Sequence, residues 1–112
     1  MKHLEFGFGG LLKLSEITGK QPDEIFESYG KNSTLALIRD LYIAGRYNEN
    51  HELTAEEAVK EIDEAIKEIG FIDVMKNIRE AMKNSILFKK KGEEEKGENE
   101  EKGENEEKKQ QK

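Results

Sequence analysis

The sequence predicts a mostly α-helical protein with about five helices, a short N-terminal strand and a disordered acidic C-terminal tail. Three observations support this fold class. Apolar residues recur every three or four positions through most of the first 88 residues, glycines and capping residues flank these stretches, and no apolar side chain follows Phe88. The chain therefore divides into a helical domain, residues 1–88, and a Lys/Glu/Gly-rich tail, residues 89–112.

The predicted strand lies at the N-terminus. Leu4, Phe6 and Phe8 alternate with polar residues or glycine, and this period of two is typical of a strand over residues 2–8. A single strand leaves a row of unpaired backbone groups, so we expect it to pair with another copy of the chain or with a partner.

Glycine marks the end of each of the next three predicted helices. The third helix is apolar on most of its circumference, which predicts a central position in the domain. The three helices are predicted to run from Leu11 to Gly19, from Pro22 to Gly30, and from Ser33 as the N-cap to Gly45.

The fourth helix has the clearest start. Thr54 and Glu57 have the spacing of a capping box, in which each side chain accepts a hydrogen bond from a backbone N–H of the first turn. An apolar stripe follows, and Gly70 is predicted to end the helix. A fifth helix is predicted from Phe71 to Phe88, with the lysines 89–91 placed favourably at its negative C-terminal end.

The tail is rich in charged residues and contains no apolar side chain that could be buried. Residues 92–112 contain nine Glu and five Lys, and the hexapeptide EEKGEN occurs at 94–99 and again at 100–105. Without apolar side chains, no burial offsets the entropy lost on ordering, so disorder is expected.

The residues offer little for catalysis. There is no Cys, and neither His3 nor His51 has a second ligand at metal-binding spacing, so both are interpreted as surface residues. The glycine-rich stretch GFGG at 7–10 lacks the phosphate-loop pattern and is interpreted as a hinge between strand and helix. We therefore expect no enzyme, metal or cofactor.

Composition also argues against nucleic-acid binding and against a membrane-spanning helix. The formal net charge is −6 and no basic face appears, which argues against nucleic acid. No run of about 18 apolar residues is present, which argues against a membrane-spanning helix.

A protein-binding role remains. Methionine adapts to irregular surfaces and suits peptide-binding grooves, although the same methionines also suit an ordinary core. The candidate partner-binding residues are Phe6, Phe8, Phe71, Met75, Met82 and Ile86.

Four stretches in this order give the chain a family resemblance: FGFGGLLKLSEITGKQPDEIFE, LIRDLYIAG, LTAEEAVKEID and EIGFIDVMKNI. Over about residues 4–88 the chain resembles the small tail assembly chaperones of long-tailed phages and prophages. The residues that match the family pattern are Phe6, Phe8, Leu12, Thr18, Gly19, Leu41, Tyr42, Ala44, Gly45, Leu53, Thr54 and Glu57.

The resemblance implies a non-enzymatic function in the host cytoplasm. Proteins of this family bind the tape-measure protein, keep it soluble and help to recruit tail-tube subunits, and they tend to self-associate. Many members carry an extra N-terminal strand before the phenylalanine-rich segment; here the chain starts almost at Leu4, so we expect no intramolecular hairpin. The glutamate-rich tail is not a general family feature. The alternative is a small helical adaptor or regulatory module of a bacterial host, whose last helix docks one folded partner.

The lysines at 89–91 allow a further hypothesis. Members of the family are often made in two lengths by ribosomal frameshifting, and Lys89 to Gly92 can be encoded by an A-rich slippery sequence. The alternative is simply a basic helix end that leads into a linker. The coding DNA distinguishes the two.

Overall fold

Five α-helices form the domain, as the sequence predicts. The structure is a computed structural model and describes residues 1–31 and 33–88; the tail at 89–112, which is predicted to be disordered, lies outside the described residues. The helices are α1 (Phe8–Thr18), α2 (Pro22–Ser28), α3 (Leu35–Arg46), α4 (Ala55–Ile69) and α5 (Phe71–Lys83), and a 3-10 turn follows at Ile86–Phe88.

Helix α3 is the centre of the domain. It contacts α1, α4 and α5, and its residues from Ile38 onward are almost all buried, with Leu41 and Ala44 fully inaccessible. The prediction of a central third helix is confirmed. Its N-cap is Thr34, whose Oγ1 accepts a hydrogen bond from the Leu37 N–H at 3.1 Å, and not the predicted Ser33.

Gly10 was predicted to lie in a hinge before the first helix and Gly45 to end the third helix, but both glycines lie inside helices. Helix α1 begins at Phe8 and contains Gly10, while α3 continues past Gly45 to Arg46. A Cβ on Gly10 would lie 2.5 Å from the carbonyl oxygen of Ala44, and a Cβ on Gly45 would lie 3.1 Å from the Leu4 Cβ. Both glycines are therefore explained by close approach of neighbouring backbone or side chains, which outweighs their low helix propensity.

The predicted strand is wrong, although the alternation of Leu4 and Phe6 with their neighbours is correct. Leu4 and Phe6 are buried and Glu5 between them is exposed, yet no second strand lies beside residues 1–7 in the described part of the chain. Instead, the Glu5 N–H donates to the Gly45 carbonyl at 2.8 Å, and the Phe6 carbonyl accepts from the Ile86 N–H at 3.3 Å. An extended segment that bonds to a helix end and to a turn satisfies these backbone groups without a sheet.

The last two helices form a hairpin about Gly70. The predicted capping box is confirmed: the Glu57 N–H donates to Thr54 Oγ1 at 3.1 Å, and the Thr54 N–H donates to Glu57 Oε1 at 3.0 Å. Helix α5 ends at Lys83, so the prediction that it continues to Phe88 is wrong. The chain turns after Lys83 because the Ile86 N–H bonds to Phe6, which a continuous helix would not permit.

Candidate protein-binding surface

The two ends of the described chain meet beside an aromatic cluster. The bond from Ile86 to the Phe6 carbonyl brings the 3-10 turn against the N-terminal segment. Phe6 packs edge-on against Phe26 with ring centroids 5.4 Å apart, and Phe26 in turn lies 6.1 Å from Phe88. The cluster joins the N-terminal segment, α2 and the 3-10 turn.

Around this meeting point the domain exposes large apolar side chains. Phe8 and Leu12 are one helical turn apart on α1 and are 73% and 49% exposed. Phe8 lies two residues along the chain from Phe6, whose carbonyl accepts the hydrogen bond from the Ile86 N–H, so Phe8 and the 3-10 turn both adjoin the point where the two ends of the described chain join. We call this region the terminal apolar surface; its members are Phe8, Leu12, Ile86, Leu87 and Phe88.

The exposure of this surface is informative because single exposed apolar residues are common, whereas groups of them mark interaction sites. Its last three residues are consecutive and all are 44–53% exposed. No apolar residue follows them, since the remaining chain is Lys, Glu, Gly, Asn and Gln. The tail therefore has no apolar side chain with which to cover the surface.

The structure divides the six predicted partner-binding residues into three groups. Phe8 and Ile86 lie on the terminal apolar surface. Phe71 is 41% exposed at the α4–α5 turn, beside the more exposed Ile72, and Met75 is partly buried with its carbonyl accepting a hydrogen bond from the Tyr29 hydroxyl at 3.0 Å.

Phe6 and Met82 form the third group and lie in the core. They are 1% and 4% exposed, because Phe6 points inward from the extended segment and Met82 shares the inner face of α5 with Val74 and Ile78. Their exposure corrects the prediction that they lie on a partner-binding surface: in this structure they stabilise the domain.

Three members of the terminal apolar surface are missing from the sequence prediction, namely Leu12, Leu87 and Phe88. A signal for each exists in the sequence. Leu12 follows Phe8 by four positions and so shares its helix face. Ile86, Leu87 and Phe88 are three consecutive apolar residues, which one helix face cannot bury together.

A polar network joins α3 to α4. The buried Tyr42 hydroxyl donates to Glu61 Oε1 at 2.8 Å, and the same oxygen accepts from Arg46 Nε at 3.2 Å. Arg46 also pairs with Glu49. Burial opposes the charge on Arg46, but its hydrogen bonds to Glu49 and Glu61 outweigh that effect and raise its pKa. Each member has a partner, so the network is explained by helix packing.

Tyr42 makes the stability of the domain sensitive to alkaline pH. Burial raises the pKa of its phenol well above the ordinary 10.0, and the hydrogen bond to Glu61 raises it further. The neutral form is favoured in the folded state, so this stabilisation is complete below about pH 10 and is lost as the pH rises toward the folded pKa. We expect the urea midpoint to fall between about pH 9 and pH 11, and to fall less steeply in Tyr42→Phe.

Tyr29 limits the difference in slope between the wild type and Tyr42→Phe, because burial also raises the pKa of the Tyr29 phenol. The Tyr42→Phe variant should therefore retain a shallow decline. Equal declines in the wild type and in Tyr42→Phe would show that Tyr42 is not the group responsible.

Neither a metal centre nor a membrane span is found in the part of the chain that the structure describes. Within residues 1–31 and 33–88, no group of three or more His, Cys, Asp or Glu side chains is arranged to hold a metal ion. No helix in these ranges has both the length and the apolar character needed to cross a bilayer.

Comparison of the chain with protein-family models, with curated proteins and with solved structures found no match.

Proposed function

We propose that the protein is a non-enzymatic tail assembly chaperone of a phage or prophage, acting in the host cytoplasm. The observation that carries the proposal is the terminal apolar surface, where five of the large apolar side chains that the described residues expose are found. The order of sequence motifs that resembles the tail assembly chaperones gives independent support and names the partner, the tape-measure protein.

The mechanism follows from the chemistry of the surface. Apolar segments of a long helical partner bury their side chains against Phe8, Leu12 and the 3-10 turn, which removes them from water during assembly. Binding of this kind needs no catalytic group and is reversible, so the chaperone leaves when the tail-tube subunits cover the same segments. Self-association through the same surface would compete with partner binding.

The tail contributes solubility in this proposal. Residues 92–112 carry nine Glu against five Lys, and a net negative charge opposes aggregation of a complex with exposed apolar segments. Recognition is assigned to the domain. A chain without residues 92–112 should therefore bind its partner with nearly unchanged affinity.

Co-expression tests the proposal. The full chain is produced with the long helical protein encoded beside it, and the soluble fraction of that protein is measured. We expect Phe8→Gln with Leu12→Gln to weaken binding roughly tenfold or more and to lower the soluble fraction. Glutamine is used because it keeps the helix propensity high.

The matched control replaces Leu35 and Val59, which are 74% and 54% exposed on α3 and α4 and are not members of the terminal apolar surface. Leu35→Gln with Val59→Gln should behave as the wild type. Equal loss in both double variants would contradict the assignment of the surface. The absence of neighbouring tape-measure and tail-tube genes, or one tight complex with a compact folded protein, would instead favour the adaptor.

A further inference from the structure

A groove also lies on the domain, and none of the residues that line it belongs to the terminal apolar surface. The groove, of about 620 Å³, is formed by the end of α1, by α2 and by the first half of α3. Its apolar lining includes Ile17, Ile25 and Leu37. Its size is within the range of pockets that bind small molecules or side chains of a partner.

A buried carboxylate lines this groove. Asp40 is 9% exposed, and it stands in α3 between Arg39 and Leu41. Its Oδ1 accepts both hydrogen bonds from Arg39, from Nε at 3.2 Å and from Nη2 at 3.1 Å. Within residues 1–31 and 33–88, no hydrogen bond reaches its Oδ2. Buried carboxylate oxygens are usually satisfied, so Asp40 has capacity for a further donor.

The remaining charges at the groove determine which donor fits. Lys20 and Glu24 also line it, so the lining carries one more negative than positive charge, which Arg39 balances through its ion pair with Asp40. Lys20 forms no ion pair with Asp40 within 4.0 Å in the described part of the chain. The C-terminal end of α1 adds a partial negative charge, whereas the N-terminal end of α3 adds a partial positive one, and these roughly half-unit charges largely offset each other.

We propose that this groove binds a cationic side chain with an apolar stem, an arginine or lysine presented by another polypeptide. The stem lies against Ile17, Ile25 and Leu37, and the guanidinium or ammonium group donates to Asp40 Oδ2. Because an ionised carboxylate oxygen only accepts hydrogen bonds, Oδ2 selects a cationic donor over an anion. The site does not rest on the proposed function, since it is defined by its own lining residues and its test uses no tail protein.

The test is a titration of the full chain, labelled with ¹⁵N, with three small probes. Butylguanidinium and butylamine reproduce the arginine and lysine side chains, and pentanoate is the anionic control of similar length. We expect both cations to shift the amide signals of the groove, with those of Ile25, Leu37 and Asp40 changing most. Pentanoate should leave these signals in place.

Two variants decide the role of Asp40. Asp40→Asn keeps the shape and should weaken the binding of both cations by about tenfold, as expected for a lost charged hydrogen bond. Asp63→Asn is the matched control, because Asp63 is exposed on α4 and pairs with Lys67 outside the groove. It should bind as the wild type.

A third variant covers the case in which Asp40→Asn alters folding. Ala36→Met places a longer side chain in the groove lining without changing any charge, and it should also abolish the cation-induced shifts. Shifts caused equally by pentanoate, or wild-type binding by both Asp40→Asn and Ala36→Met, would overturn the proposal. Absence of any groove shift with either cation would overturn it as well.

Discussion

Replacing Phe6 with alanine is expected to lower the free energy of unfolding by about 3–5 kcal/mol, a large part of the stability of a domain this size. Phe6 is 1% exposed and packs edge-on against Phe26, and its carbonyl accepts the bond that places the 3-10 turn. Removing the ring leaves a cavity where the N-terminal segment, α2 and the turn meet. Urea unfolding followed by circular dichroism at equilibrium measures the change.

Phe8→Ala is the matched control for this experiment. Phe8 has the same side chain two positions along, but it is 73% exposed, so its replacement should change stability by no more than about 0.5 kcal/mol. In partner binding the order should reverse, with Phe8 the more important of the two. Equal losses of stability in the two variants would contradict the assignment of Phe6 to the core and Phe8 to the surface.

Gly10→Ala is expected to destabilise the domain by about 1–3 kcal/mol, although alanine favours a helix more than glycine by about 1 kcal/mol. The new methyl group would lie 2.5 Å from the Ala44 carbonyl oxygen. That oxygen belongs to the backbone of the central helix, so relief requires α1 and α3 to separate. Thermal and urea unfolding of the variant measure the net effect.

Gly45→Ala provides a comparison at a second close contact of α3, this time with the extended N-terminal segment. There the added methyl group would meet the side chain of Leu4, at 3.1 Å from its Cβ and 3.2 Å from its Cδ2. A side chain yields more easily than a backbone carbonyl, so the loss of stability should be smaller than for Gly10→Ala. A stabilising effect of Gly10→Ala would mean that α1 and α3 are not in close contact at this point.

These expectations have a common basis in how the domain uses its aromatic residues. Phe6 and Phe26 are used for packing, while Phe8 and Phe88 are left largely exposed around them. A protein that needed only to fold would gain from polar residues at the exposed positions. Their exposure is the reason for proposing that the surface binds a partner.

The groove at Asp40 extends this view to a second, polar contact. The terminal apolar surface selects apolar segments with little discrimination, whereas a buried carboxylate selects a charge at a defined position. Apolar area mainly supplies binding free energy, and complementary charge mainly supplies specificity. A partner segment that uses both sites would carry a basic residue at a fixed distance from its apolar residues.

Local sequence signals determined most of the helix boundaries. The αL residue Gly19, Pro22 at the start of α2, and the capping box of Thr54 and Glu57 all function as the sequence predicts. These signals act within one turn of the chain, through backbone hydrogen bonds and allowed φ angles, and so they need no knowledge of the fold. The alternation of Leu4 and Phe6 likewise gave the correct inward face.

Only the tertiary structure decided where glycine permits contact and which apolar residues stay exposed. In the sequence Gly10 indicates a hinge and Gly45 a helix end, but the approach of Ala44 and Leu4 explains the presence of these glycines inside helices. Phe6 and Phe8 share one pattern in the sequence, yet one is buried and the other exposed, because α1 begins at Phe8 and turns its side chain away from the core. Periodicity specifies the inward face of a single element, whereas burial depends on what the rest of the chain places against that face.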